Sequence, residues 1–121
     1  MFALSNINTF DFTHFNTNQV KNMTHMFYYC ISLGSVNSAN INTNSVIDMS
    51  YLFCGCTSLP RINLTNFNTN KVTNMSNMFE YCISINELSL EKFNTENVVD
   101  MSSMFKECFS MSELNIKIIY R

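Results

Sequence analysis

The chain has 121 residues, of which 46% are hydrophobic and 13% are charged, and its formal net charge is −2. Because seven Lys and Arg face nine Asp and Glu, the composition excludes a nucleic-acid binder that depends on a strong basic field. The apolar fraction is too high for a disordered chain and no apolar run approaches the roughly 18 residues of a membrane span, so we predict one domain over residues 1–121 without membrane insertion.

An internal repeat of 26 residues organises the whole chain. A partial unit over residues 1–19 comes first, and four further units begin near Val20, Val46, Val72 and Val98. No insertion or deletion interrupts the register of these four units, in which a methionine, a phenylalanine and a cysteine also recur. The sequence therefore predicts about four and a half stacked units, more than the three that a stacked core needs.

The first half of each unit has the spacing of a short helix. In the third unit, Met75, Met78, Phe79 and Cys82 follow one helix face, and Asn74 stands where an N-cap is expected. We predict a helix of about two turns here and in the other units, with its apolar face in the core. The predicted core residues are Val20, Met23, Phe27, Cys30, Val46, Met49, Phe53, Cys56, Val72, Met75, Phe79, Cys82, Val98, Met101, Phe105 and Cys108.

The second half of each unit alternates with a period of two. Leu88-Ser89-Leu90 is one example, and this alternation predicts a strand with one buried face. A helix and a strand that recur in every unit predict an α/β repeat: a solenoid with a parallel strand ladder on one side and short helices on the other. The first complete unit departs from the pattern, because Ser38 stands where Leu64 and Leu90 stand.

The consensus of the units is similar to a known family of repeats. The string Leu-x-x-Leu-x-Leu, followed by Phe-Asn-Thr-x-x-Val-x-Asn-Met-Ser-x-Met-Phe-x-x-Cys, resembles the leucine-rich repeats of BspA-like surface proteins over residues 10–116. The resemblance implies a leucine-rich-repeat solenoid displayed at a cell surface or outside the cell, used in adhesion or protein binding. From the residues given, we expect neither a signal peptide nor an anchor within them.

The residue types that carry catalysis or bind metals are present but not arranged for either. Four of the five cysteines recur in register, which favours a buried column over disulfides, and Cys54 lies off that column as the thiol that we expect to be most exposed. His14 and His25 stand apart, without the paired spacing of a zinc site. Because no glycine-rich loop or nucleophile–base pair occurs either, we predict no enzyme, metal or cofactor.

A column of threonines has two possible roles. Thr17, Thr43, Thr69 and Thr95 each follow an asparagine at the same place in successive units. Their hydroxyl groups are expected to bond the backbone of a neighbouring unit, which a stacked repeat supplies at every step. The alternative is a flat, exposed hydroxyl array like those of ice-binding repeat proteins.

The outward positions of the predicted strands differ between units, and such variation on a constant scaffold is typical of a protein-binding repeat. We predict a protein partner, a host or matrix protein if the chain is surface-displayed. The predicted partner-binding residues are Asn37, Arg61, Asn63, Thr65, Glu87, Ser89, Glu91, Glu113, Asn115 and Lys117. The alternative is a structural segment that stacks end to end with further repeats or copies.

Overall fold

Four short strands are the regular elements of residues 2–116. The computed structural model describes residues 2–116, and of residues 113–116 the backbone alone. The strands are β1 (Thr9–Asp11), β2 (Ser35–Asn37), β3 (Glu87–Leu90) and β4 (Glu113–Ile116). β1 pairs in parallel with β2, and β3 pairs in parallel with β4, so that strands of the same register position meet. They form two separate two-stranded sheets and not the single ladder that the sequence predicted.

The predicted helices do not form. The part of the chain that the structure describes contains no helix, so the predicted α/β solenoid with helices on one side is wrong. Residues 75–82 are a succession of turns, in which Asn77 and Tyr81 have φ values of 58° and 60°. An α-helix requires φ near −63° throughout. The residues with positive φ at the same two positions of other units are His25, Tyr29, Tyr51, Gly55, Ser103 and Glu107.

The backbone hydrogen bonds of this segment show what replaces the helix. The N–H of Met78 donates to the carbonyl of Met75 at 3.4 Å and closes a four-residue turn, with Asn77 at the third position, where type II turns require positive φ. The N–H of the following residue, Phe79, instead donates to the carbonyl of Met104 in the next unit at 3.0 Å. Alternate N–H groups therefore close turns and join units, whereas a helix uses all of them within itself.

The core lies between the turn segments and the strands, and phenylalanine rings run along it. Phe27, Phe53, Phe79 and Phe105 stack on one another with centroid distances of 5.5, 5.7 and 6.1 Å. Of the sixteen predicted core residues, eleven are buried. The five that are half-buried belong to the first and last units and are Val20, Val98, Met101, Phe105 and Cys108.

The threonine column joins the units through the backbone. Thr43 Oγ1 donates to the carbonyl of Asn68 at 2.8 Å and accepts from the N–H of the same residue at 2.7 Å. Thr17 and Thr69 make the same pair of bonds to the next unit. These hydroxyls are buried and bonded to the backbone of the next unit, so they do not form an exposed ice-binding array.

The cysteine column makes a second set of contacts between units. The thiols of Cys56, Cys82 and Cys108 each donate to the carbonyl of a core phenylalanine in the preceding unit, over 3.0–3.2 Å. All five cysteines are free thiols. Burial raises the pKa of the Cys56 and Cys82 thiols, so both remain protonated and able to donate. Among residues 2–116 no helix is long and apolar enough to cross a membrane.

Candidate functional site

The strand register is interrupted at the second complete unit. Residues 61–64 occupy the position of β2 and β3 but form no strand, although the sequence predicted one there. Gly34 donates its N–H to the carbonyl of Asn8 at 2.8 Å, and Asn86 donates to the carbonyl of Pro60 at 3.3 Å. The equivalent bond from Pro60 to Gly34 is impossible, because proline has no N–H. Pro60 therefore breaks the ladder between β2 and β3.

A side-chain hydrogen bond partly replaces the backbone hydrogen bonds that are missing between these units. The N–H of Phe12 donates to the carbonyl of Asn37 in the next unit at 2.9 Å. Ser38 stands at the position of Phe12 one unit later, and there the side-chain hydroxyl donates instead, to the carbonyl of Asn63 at 2.7 Å. Ser38 is 5% exposed. The departure from leucine at Ser38 thus supplies a hydrogen-bond donor at the place where the strands separate.

A concavity of about 510 Å³ lies at this interruption, and we call it the strand-face groove. It spans the first, second and third complete units. Its lining residues are Gly34, Ser35, Val36, Pro60, Arg61, Ile62, Asn63, Glu87, Leu88 and Ser89. No ion pair within residues 2–116 involves Arg61 or Glu87, and both side chains are exposed. Among the described residues, the groove therefore presents one cation and one anion, neither of which is in an ion pair.

The structure brings together four of the ten predicted partner-binding residues, Arg61, Asn63, Glu87 and Ser89, as groove lining. Asn37, Thr65 and Glu91 are exposed beside it. Glu113 and Asn115 lie on β4, and Lys117 lies outside the described residues. The predicted partner-binding residues do not include Gly34 and Pro60, which also line the groove, although a proline inside a strand pattern signals an interruption.

Two of the predicted binding residues also shape the backbone. Asn37 Oδ1 accepts from the N–H of Ala39 at 3.1 Å, and Asn63 Oδ1 accepts from both the N–H and the hydroxyl of Thr65 at 3.0 and 2.7 Å. Each bond closes an Asx turn after the strand position. The amide Nδ2 groups are the part of these side chains that remains for a partner.

Cys54 is buried, contrary to the prediction that it is the most exposed thiol. It is 2% exposed, and its Sγ lies 3.8 Å from Oε2 of the buried Glu80. Burial, together with the charge of Glu80, raises the pKa of the Cys54 thiol to about 12. Asn77 Nδ2 donates to the same carboxylate at 2.6 Å, and Lys106 Nζ lies 3.8 Å from Oε1. The cluster is internally paired, so we assign it a structural role.

The side chains that could hold a metal ion are scattered over the described part of the chain. Residues 2–116 contain no group of three His, Cys, Asp or Glu side chains placed to hold a metal ion. His14 is exposed, and His25 stacks on Tyr51 with 4.6 Å between ring centroids.

A second concavity, of about 170 Å³, lies where the first complete unit meets residues 2–17. Phe2, Phe12, Phe15, Val20 and Met23 are among its lining residues. Phe15 is 50% exposed although it is aromatic. This concavity therefore presents an apolar surface at one end of the stacked units.

The chain matches the model of a known protein family. The model of the family described as "Mycoplasma protein of unknown function, DUF285" matches residues 1–42 and residues 32–118. The two matches overlap and together span nearly the whole chain, as a repeated unit would. No curated protein and no solved structure matches the chain.

Proposed function

The chain belongs to the family described as Mycoplasma protein of unknown function, DUF285, and from this premise we propose that it is a non-catalytic protein-binding module, related to BspA-like leucine-rich-repeat surface proteins and used in adhesion. The observation that supports this proposal is the strand-face groove at the Pro60 interruption. The groove lies where the strand register of the repeats is interrupted. It also collects variable residues from three units.

An extended peptide segment suits the chemistry of this groove. β2 pairs with β1 and β3 pairs with β4, and residues 61–64, which lie between the two pairs, form no strand. Backbone at Gly34 and Pro60 lines part of the groove, and grooves of this kind bind extended chains through backbone hydrogen bonds, while pockets for alternate side chains give specificity. Arg61 and Glu87 add one charge of each sign. We therefore propose an extended partner segment with an acidic and a basic residue.

The proposed contact is small. Stable interfaces bury roughly 800 Å² on each partner, and a groove over three units offers less than that. The affinity for one segment is accordingly expected to be weak, with several copies of the module needed for firm attachment to a surface.

Selection of binding peptides tests the proposal. Random linear peptides displayed on phage are selected on the purified chain, and the enriched peptides are then tested on two variants. The groove variant carries Arg61→Ala, Glu87→Ala and Ser89→Ala. The control variant carries Lys71→Ala, Glu96→Ala and Ser110→Ala, which alters the same kinds of side chain at exposed positions outside the groove.

We expect the enriched peptides to lose binding to the groove variant and keep it with the control variant. Peptides that bind both variants as well as the original chain would contradict the proposal. Both variants change exposed side chains, for which stability effects within about 0.5 kcal/mol are usual, so circular dichroism and urea unfolding should match those of the original chain.

The alternative function, a structural segment that stacks on further repeats or copies, is favoured by a separate observation. The apolar concavity near Phe15 and the half-buried Phe105 lie at opposite ends of the stack. Sedimentation at increasing concentration distinguishes the two functions, because end-to-end association is unaffected by the groove variant. A sedimentation coefficient that is constant with concentration would argue against stacking between copies.

A further inference from the structure

Residues 15–24 lie at one end of the stacked units and are less covered than the same positions of later units. Phe15 is 50% exposed, whereas the residues at its position one, two and three units later are 6%, 3% and 5% exposed and are Ile41, Phe67 and Phe93. Val20 is half-buried, whereas Val46 and Val72 are 0% exposed. This end therefore presents an apolar face that is covered in the later units.

Backbone carbonyls at this end lack the donors that later units receive. The carbonyl of Asp48 accepts from the N–H of Met23 in the preceding unit at 2.9 Å, and the carbonyl of Ser50 accepts from another N–H of that unit at 3.2 Å. The equivalent carbonyls of the first complete unit belong to Asn22 and Thr24, and neither accepts a hydrogen bond from a described residue. A partner that covers this end in the same register must therefore supply two N–H groups.

A third backbone position at this end lacks the side chain that it meets elsewhere. The hydroxyl of Thr17 donates to the carbonyl of Asn42 in the next unit at 2.9 Å and accepts from its N–H at 2.8 Å. Asn16, one unit before Asn42, is exposed, and neither its N–H nor its carbonyl is bonded to a residue that the structure describes. A further threonine hydroxyl placed against Asn16 would continue the threonine column.

These groups meet at the concavity of about 170 Å³, which we call the end concavity. Its lining includes the polar residues Asn16, Asn22 and Thr24 and the apolar residues Phe15, Val20 and Met23. Within the stack, residues 43–49 lie in the equivalent place against the following unit, and the side chains that they bury are Thr43, Val46 and Met49. The end concavity thus matches a segment with a threonine, a valine three residues later and a methionine three residues after that.

We propose that the end concavity binds a segment of a partner protein that has the pattern Thr-x-x-Val-x-Asn/Asp-Met and is not folded before it binds. The hydroxyl of its threonine bonds the N–H and the carbonyl of Asn16. The N–H of its methionine donates to the carbonyl of Asn22, and its valine and methionine cover Phe15 and Val20. Addition of a segment to an open backbone edge is a common mode of peptide recognition.

A free segment is a better occupant than a folded second copy. Val46, Met49, Val72 and Met75 are 0% exposed within their own stack, so a folded copy does not release them. A free segment loses conformational freedom when it binds, and we therefore expect a modest affinity. The end concavity and the strand-face groove share no lining residue, so this inference does not rest on the proposed function.

The probe is a fluorescein-labelled peptide with the sequence of residues 41–51, and fluorescence anisotropy follows its binding to the full chain. Two N-methylated forms of the peptide give the sharpest comparison. In the stack, the N–H of Met49 donates to the carbonyl of Asn74 in the following unit at 2.9 Å, whereas the N–H of Ile47 donates to the carbonyl of Lys21 in the preceding unit at 2.8 Å. A methyl group on the methionine nitrogen therefore removes a bond to the end concavity, and one on the isoleucine nitrogen removes none.

We expect the peptide that is methylated at methionine to bind about tenfold more weakly than the unmodified peptide, and the peptide that is methylated at isoleucine to bind equally well. Phe15→Asp places a charge against the apolar part of the segment and should also weaken binding about tenfold. The matched control is Phe109→Asp, at a side chain that is 76% exposed and outside the end concavity. It should bind the probe unchanged, as should the groove variant.

Absence of saturable binding, equal affinities of the two methylated peptides, or equal affinities of Phe15→Asp and Phe109→Asp would each overturn the proposal. Loss of binding in the groove variant would also overturn it, because the probe would then occupy the strand-face groove. Sedimentation of the chain alone tests the other occupant: association that Phe15→Asp abolishes, without binding of the probe, would assign the end concavity to a second copy. Circular dichroism checks that Phe15→Asp is folded, and if it is not, the methylated peptides decide on the unaltered chain.

Discussion

Single side chains join each unit to the next through groups of the backbone. A threonine hydroxyl donates to a carbonyl and accepts from an N–H of one residue in the following unit, as Thr69 does with Asn94 at 3.0 and 2.8 Å. Cysteine thiols reach carbonyls in the preceding unit. Each unit supplies the same backbone partner at the same place, and short uncharged side chains such as threonine and cysteine are enough to reach it. The low charge and the many short polar side chains of the sequence therefore suit this fold.

The replacement Thr69→Val tests the threonine column. Valine has a similar shape but leaves the N–H and the carbonyl of Asn94 without their partner. An unsatisfied buried backbone group costs about 1–3 kcal/mol, so we expect the free energy of unfolding to fall by about 2 kcal/mol. Urea unfolding measures the change.

Serine provides the matched control, because Thr69→Ser keeps the hydroxyl and removes only a methyl group. We expect it to lose about 1 kcal/mol. Equal losses in both variants would show that the methyl group and not the hydroxyl stabilises the stack.

At the scale of elements, the sequence predicted which side chains face the core but not the backbone that places them there. Met75, Met78, Phe79 and Cys82 are all buried, and their spacing fits one face of a helix. A stack of turns with a left-handed residue every fourth position gives nearly the same spacing. Hydrophobic periodicity does not distinguish the two, because it reports which side is buried and not which carbonyl each N–H reaches.

The turns were also hard to predict because tyrosine and histidine occupy the left-handed positions, whereas glycine is the residue that usually indicates positive φ in a sequence. Gly55 is the one glycine there, and it stands in register with Tyr29 and Tyr81. The strand-face groove was predictable in part. The variable outward residues indicated the face, and Pro60 indicated that the strand ladder is interrupted there. The Ser38 hydroxyl that bridges to Asn63 depends on the separation of two units, which a single sequence does not contain.

A pair of substitutions at Asn77 distinguishes turns from a helix. Both Asn77→Gly and Asn77→Ala remove the bond to Glu80, so their difference reports the backbone alone. At a φ of 58° glycine avoids the left-handed penalty, and we expect the glycine variant to be more stable than the alanine variant by about 1 kcal/mol. In a helix the order is reversed, by roughly the same amount. Thermal and urea unfolding of the two proteins measure the sign.

For the whole molecule, the stacked phenylalanines make stability depend on neighbouring units. Phe79 is fully buried and contacts a ring on each side, at 5.7 and 6.1 Å, whereas Phe105 is half-buried and stacks on Phe79. In a repeat protein the stability is approximately the sum of the units and of the interfaces between them. Loss of a central ring therefore weakens two interfaces, and loss of a ring in the last unit weakens one.

The variants Phe79→Ala and Phe105→Ala test this coupling. A buried phenylalanine replaced by alanine costs about 3–5 kcal/mol, and we expect that range for Phe79 and a smaller loss for the half-buried Phe105. Hydrogen exchange followed by mass spectrometry locates the effect. With Phe79→Ala, amides of the second, third and fourth units should exchange faster, because N–H groups of one unit donate to carbonyls of the next. With Phe105→Ala, the increase should be confined to the third and fourth units, and an equal increase in all units for both variants would indicate one all-or-none unfolding unit.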